Sequence, residues 1–135
     1  MTGRGIPDSN GCYMGREFWI EFKRTGGWAV SLRPEQIGWL TRRARAGGGV
    51  YIAVRRLNQS PTGDHTAVEG VIGGNTKGRP KKACADELWL LAGGAAKEVR
   101  AGGLRAIPPT SLLGVWYGGP SSWDWNLILE KLTLR

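Results

Sequence analysis

Hydrophobic and polar positions alternate from Glu17 to Lys23 (EFWIEFK). Phe18, Ile20 and Phe22 fall on one side and Trp19, Glu21 and Lys23 on the other, the period of a β-strand. Ahead of it, Gly5-Ile6-Pro7-Asp8 begins a shorter extended segment, and Asn10-Gly11 offers turn chemistry. Asp8 and Glu21 are therefore expected on neighbouring strands of a hairpin-like unit. Trp28 to Arg33 lead into a helix opening at Pro34, whose missing N–H costs nothing at the first helical position. Ile37, Leu40 and Ala44 give that helix an apolar stripe, and Gly47 to Gly49 end it. Val50 to Val54 (VYIAV) are apolar throughout, as in a strand covered on both faces, with Arg55 and Arg56 closing it.

Leu88 to Leu91 predict a further buried strand, and Ala95 to Ala101 a short helix stopped by Gly102 and Gly103. Trp125, Ile128, Leu129 and Leu132 keep helical spacing, with Ser121 or Ser122 as the cap. No internal repeat is present. The succession of strands and helices predicts one α/β domain over residues 1–135, a mixed central sheet flanked by helices. Residues 57–86, rich in glycine and lysine, read as a basic loop excursion, with a short hairpin near Ala67 to Ile72.

Charge changes the picture next. The chain of 135 residues carries 19 basic and 11 acidic residues, a formal charge of +8. The excess is clustered, in Arg42, Arg43, Arg45, Arg55 and Arg56 and again in Lys77, Arg79, Lys81 and Lys82. Such clusters favour a polyanion as partner, and Arg42, Arg43, Arg55, Arg56, Lys77, Arg79, Lys81 and Lys82 are the expected nucleic-acid contacts. Two cysteines and the single His65 are too few for a structural zinc site, a histidine-based nuclease or a two-histidine metalloprotease helix. A Ser-His-Asp triad would depend on His65 in a polar loop. No G-x-x-x-x-G-K-[ST] loop occurs. No apolar run approaches the ~18 residues of a membrane span, and Met1 to Ile6 lack the apolar stretch of a secretory signal. A cytoplasmic location is expected.

The remaining candidates for chemistry are Pro7-Asp8, Glu21-x-Lys23 and Gln36. Two carboxylates on adjacent strands suit a hard divalent cation with oxygen ligands. A lysine on the same strand face as the second carboxylate can offset charge developing on a phosphate. The carbonyl of Phe22, between the two, is a further possible ligand. Trp19, Trp89 and Trp125 fall in apolar periodic segments and are expected in the core; Trp28 and Trp39, near the basic zone, are candidates for stacking on bases.

Taken together, GRGIPDSNG, FWIEFK, LRPEQIGWL and VYIAVRR, within Gly3 to Arg56, resemble the PD-(D/E)xK nuclease superfamily. The likeness is greatest to its virus-type replication-repair (VRR-NUC) branch and to archaeal-type Holliday junction resolvases. DELWLLAGG and GGPSSWDWNLILEKL look like segments of compact phage-encoded relatives. The resemblance implies a restriction-endonuclease-like core, with Asp8 and Glu21 (and Phe22 through its carbonyl) holding Mg²⁺ or Mn²⁺. It makes Lys23 the catalytic lysine and Gln36 a support from its helix. It implies a metal-dependent DNA endonuclease acting on branched DNA, in the host cytoplasm if phage-encoded. A sequence-specific or homing endonuclease and a non-catalytic DNA-binding protein are the alternatives. Such nucleases place a helix and a strand ahead of the aspartate, whereas seven residues precede Asp8 here. Trp123 to Leu132, or the partner in a homodimer, is expected to fill that place, and Glu17 or Glu35 to be at most an added acidic group.

Overall fold

The computed structural model describes residues 5–58 and 85–133. Strand β1 (Ser9–Tyr13) turns through Met14-Gly15 into β2 (Arg16–Thr25). Both turn residues have positive φ, 53° and 79°, as a two-residue loop matching the twist of its strands requires. The turn expected at Asn10-Gly11 is thus displaced towards the chain's C-terminal side. Asn10 and Gly11 lie within β1, opposite Trp19 and Phe18. Gly11 is needed there because the Phe18 ring lies 2.6 Å from where a Cβ would stand.

Helix α1 (Pro34–Arg45) carries the chain to β3 (Val50–Asn58), which pairs parallel to β2. Antiparallel to β3 runs β4 (Ala85–Ala92), followed by α2 (Ala96–Gly102), β5 (Leu112–Trp116) and α3 (Trp125–Thr133). The strands form one mixed sheet in the order β1-β2-β3-β4-β5, so the α/β class expected from the pattern is the class observed.

Alternating side chains divide the interior into two cores. Val50, Ile52, Val54 and Leu91 point to one face, where Leu40 of α1 and Ala96 and Val99 of α2 cover them. Phe18, Ile20, Tyr51, Ala53, Leu88 and Leu90 point to the other, covered by Trp123 and by Ile128 and Leu132 of α3. The segment from Trp123 to Leu132 therefore closes the second face of the sheet. Leu40 is fully buried. Leu40→Ala is expected to cost about 2–5 kcal/mol of unfolding free energy, the range for a cavity left by leucine in a packed core. Urea titration would measure it, and a loss below about 1 kcal/mol would mean that α1 is not clamped to the sheet.

Several boundaries differ from the sequence expectation. Strand β3 does not close at Arg55-Arg56 but runs to Asn58, and β4 begins at Ala85, so the excursion is shorter at both ends. The reason is cross-strand charge pairing: Arg55 bonds Asp86 and Arg56 bonds Glu87, so Asp86, read as loop, is a ladder residue and the two arginines do not end the strand. The hairpin expected near Ala67 to Ile72 falls outside the described residues. Strand β5 was not expected; it is short, half-buried and interrupted by Gly114. Helix α3 is capped by Asp124, whose Oδ1 accepts the Leu127 N–H at 3.1 Å, rather than by Ser121 or Ser122. Among the described residues no helix is long and apolar enough to cross a membrane.

Candidate active site

The site is built where β1 runs out. Its ladder ends with Ser9 opposite Ile20, while β2 continues to Thr25. The Trp19 N–H donates to the Gly49 carbonyl on the β3 side, so the next even-numbered residues direct their backbone groups the other way. The Phe22 N–H accordingly donates to Asp8 Oδ2 at 2.8 Å. In a strand the carbonyl leaves on the same side as the N–H of its residue, which sets the Phe22 carbonyl on the Asp8 side of β2. Gly5, at φ +86°, brings this segment against α1; a Cβ there would overlap the Glu35 carbonyl.

Glu21 projects from the same stretch of β2 onto the first face and is only 2% exposed. Its Oε2 accepts Gln36 Nε2 at 2.6 Å and lies 3.2 Å from Lys23 Nζ. Gln36 Oε1 in turn accepts Lys23 Nζ at 3.2 Å and the Arg33 N–H at 2.9 Å. Gln36 thus ties the first turn of α1 to both ionisable side chains of β2. Glu21 Oε1, though buried, has no hydrogen-bond partner among the described residues. A buried carboxylate oxygen left without a donor is costly, and a cation is one way to satisfy it. The residues present fit such an ion: two carboxylates and a backbone carbonyl, all hard oxygen donors. Among the described residues no group of three or more His, Cys, Asp or Glu side chains gathers.

Burial pushes the Glu21 carboxyl above its ordinary value near 4.5, and the neighbouring Asp8 charge pushes the same way; Lys23 and, more weakly, the nearby Asp8 backbone N–H partly offset both. Between the ordinary and the raised value the folded chain holds a proton that the unfolded chain has lost. Stability therefore falls as pH rises through that interval. A divalent cation favours the ionised carboxylate and should reverse the trend. Urea titrations across pH, with and without Mn²⁺, are expected to show this, and Glu21→Gln to remove its Glu21 component. An identical pH dependence in wild type and Glu21→Gln would rule it out.

The other expected participants separate. Asp8, Glu21, Phe22, Lys23 and Gln36 come together as described. Glu17 is exposed at the far end of β2, opposite Cys12, and Glu35 is exposed in the first turn of α1. Arg42, Arg43 and Arg45 lie in the last turn of α1, with the Arg43 guanidinium over the Trp39 ring at 5.0 Å. Arg55 makes two 2.8 Å bonds to Asp86. Arg56 departs from the expectation of a phosphate contact. It is buried, bonds Glu87 and the Gly27 carbonyl, and stacks 3.9 Å from the Trp28 centroid. Trp28 also has Arg105 at 4.3 Å and meets Trp89 edge-on, so its faces are occupied and a base cannot stack there. Trp39 meets Trp19 edge-on. Trp125, expected in the core, is 50% exposed. Lys77, Arg79, Lys81 and Lys82 lie outside the described residues. Sequence reading missed Gly5 and the Arg33 N–H; a glutamine three residues after a helix N-cap was the signal for the latter.

Compared with family models, curated proteins and solved structures, the chain matches none.

Proposed function

We propose that the chain is a metal-dependent DNA endonuclease with a restriction-endonuclease-like core, centred on Asp8, Glu21, Lys23 and Gln36. The observation that carries this reading is the buried Glu21 carboxylate: one oxygen is braced by Gln36 and Lys23, the other lacks a partner, and Asp8 is next to it. Asp8, Glu21 and the Phe22 carbonyl would hold Mg²⁺ or Mn²⁺. When bound, such an ion supplies Lewis-acid polarisation of a phosphoryl oxygen and eases water deprotonation near neutral pH.

The chain's own groups do the rest. Gln36 fixes the Glu21 carboxylate through Oε2 and leaves Oε1 for the ion. Lys23, two residues further along the strand and on the same face, holds its ammonium where it orients an attacking water or offsets charge developing on the phosphate. The net positive charge of the chain draws the polyanion in. Branched DNA is the proposed substrate, and a homodimer the proposed form for cutting paired strands.

The test is cleavage of supercoiled plasmid and of four-way, flap, linear and single-stranded substrates with Mg²⁺ or Mn²⁺. Cutting that requires the metal and prefers branched substrates supports the proposal; no cutting of any substrate sinks it. A second reading, DNA binding on the same fold without turnover, draws on the presence of only two acidic side chains at the site among the described residues. It would be recognised by tight DNA binding with no metal-dependent product.

A further inference from the structure

The residue between Glu21 and Lys23 points the opposite way. Phe22 is 51% exposed and stands at a groove of about 380 Å³ between the second face of the sheet and α3. The groove is floored by aliphatic side chains of the second core and walled by Trp123 and Trp125. Three features distinguish it from an ordinary packing gap. Its mouth offers aromatic surface, since Trp125 is 50% exposed and its ring is tilted against Trp123 at 5.6 Å between centroids. Its wall holds an unmet donor: Trp123 is 7% exposed and its indole Nε1 is buried without a partner among the described residues. Its rim carries Arg24 and Arg55, the latter paired with Asp86 and with its guanidinium 5.6 Å from the Trp123 ring.

We infer that this groove takes a single unstacked nucleobase of a bound strand, at the nucleotide whose phosphate passes the Asp8–Phe22 edge. The charge decides the class of occupant. Apolar walls alone would suit an acyl chain or another protein surface. Two arginines against the single Asp86 at the rim, on a chain of net charge +8, favour an anion with a flat apolar body, and a nucleotide has both. A base also carries acceptor atoms for the Trp123 N–H, and the volume lies at the small end of the ~300–1,000 Å³ of ligand pockets. The groove and the carboxylate site share strand β2, so a strand crossing its free edge meets one on each face. The inference deepens the nuclease reading and rests on it only for what happens at the neighbouring site. It also gives branched DNA a physical basis, because bases at a junction or flap cost less to unstack than paired ones.

The experiment measures binding of the full chain without metal, so that it does not depend on cleavage. The probe is a single-stranded oligonucleotide carrying 2-aminopurine, compared with the same oligonucleotide containing abasic positions and with a fully paired duplex. Binding should quench the 2-aminopurine, and the abasic strand should bind more weakly. Trp125→Ala should weaken single-strand binding about tenfold, within the ~1–3 kcal/mol that one stacked base contributes, and leave duplex binding unchanged. Trp125→Phe should restore most of the loss, since it keeps a flat ring. Single-strand affinity unaffected by Trp125→Ala, or an abasic strand bound as tightly as the intact one, would overturn the inference. So would a wild-type dimer that Trp125→Ala converts to monomer with oligonucleotide affinity unchanged, which would make the groove a self-association surface. Loss of the nuclease reading through inactive cleavage assays would leave this binding result standing.

Discussion

Asp8→Ala and Glu21→Ala should each reduce metal-dependent cleavage by several orders of magnitude while DNA affinity holds or rises. In the proposed site both carboxylates are ligands beside a polyanion, so removing either one lowers repulsion as it removes a ligand. The two differ in what else they disturb. Asp8 is exposed and its alanine variant costs mainly the bond to the Phe22 N–H. Glu21 is buried beneath Gln36 and Lys23, and alanine there leaves Gln36 Nε2 without its acceptor and Lys23 without its counter-charge. Glu21→Gln keeps the shape and is the cleaner variant. Plasmid cleavage with gel-shift binding alongside reads both quantities. Near wild-type cutting by Asp8→Ala and Glu21→Gln would dismiss the metal site.

Lys23→Ala should lower single-turnover cleavage by several orders of magnitude, with Mn²⁺ affinity much less affected. In the proposed mechanism the ammonium acts on charge that develops during reaction, so its loss falls on turnover. It also helps to lower the Glu21 pKa, so the acid limb of the pH–rate profile should move to higher pH in the variant. Lys23→Arg should recover only part of the rate. Nζ is held between Glu21 Oε2 and Gln36 Oε1, each 3.2 Å away, a place for a compact charge rather than a planar fork. Full activity in Lys23→Ala would reduce the pair to an ordinary ion pair.

What the sequence made legible follows from how local each signal is. Strand β2 and helix α1 announce themselves through period and through Pro34, and the spacing of Glu21 and Lys23 on one side of a strand brings them together on α1's face. Asp8, on a separate segment, needed only a short hairpin, although the turn sits at Met14-Gly15. Long-range partners were not legible. Arg56 reads as a phosphate contact because nothing local reveals that Glu87 and Trp28 enclose it. Trp125 keeps helical spacing with Ile128 and Leu132, yet lies at the mouth of the groove because helical period fixes a stripe and not its width. Strand β5 is an edge element whose Gly114 removes the alternation that would have marked it.

The early end of β1 also bears on how the chain keeps apart from its copies. Beyond Ile20 the β1 side of β2 has no ladder partner among the described residues. A bare sheet margin of that kind is a template on which another strand can zip. Asp8 plugs it: its carboxylate occupies the Phe22 N–H, and its charge repels a second backbone carbonyl seeking the same donor. Alanine at position 8 therefore opens an adhesive margin as well as removing a ligand, whereas asparagine keeps an acceptor on that N–H. The side chain proposed for the chemistry doubles as the guard against aggregation, and soluble, inactive protein is to be sought with asparagine rather than alanine.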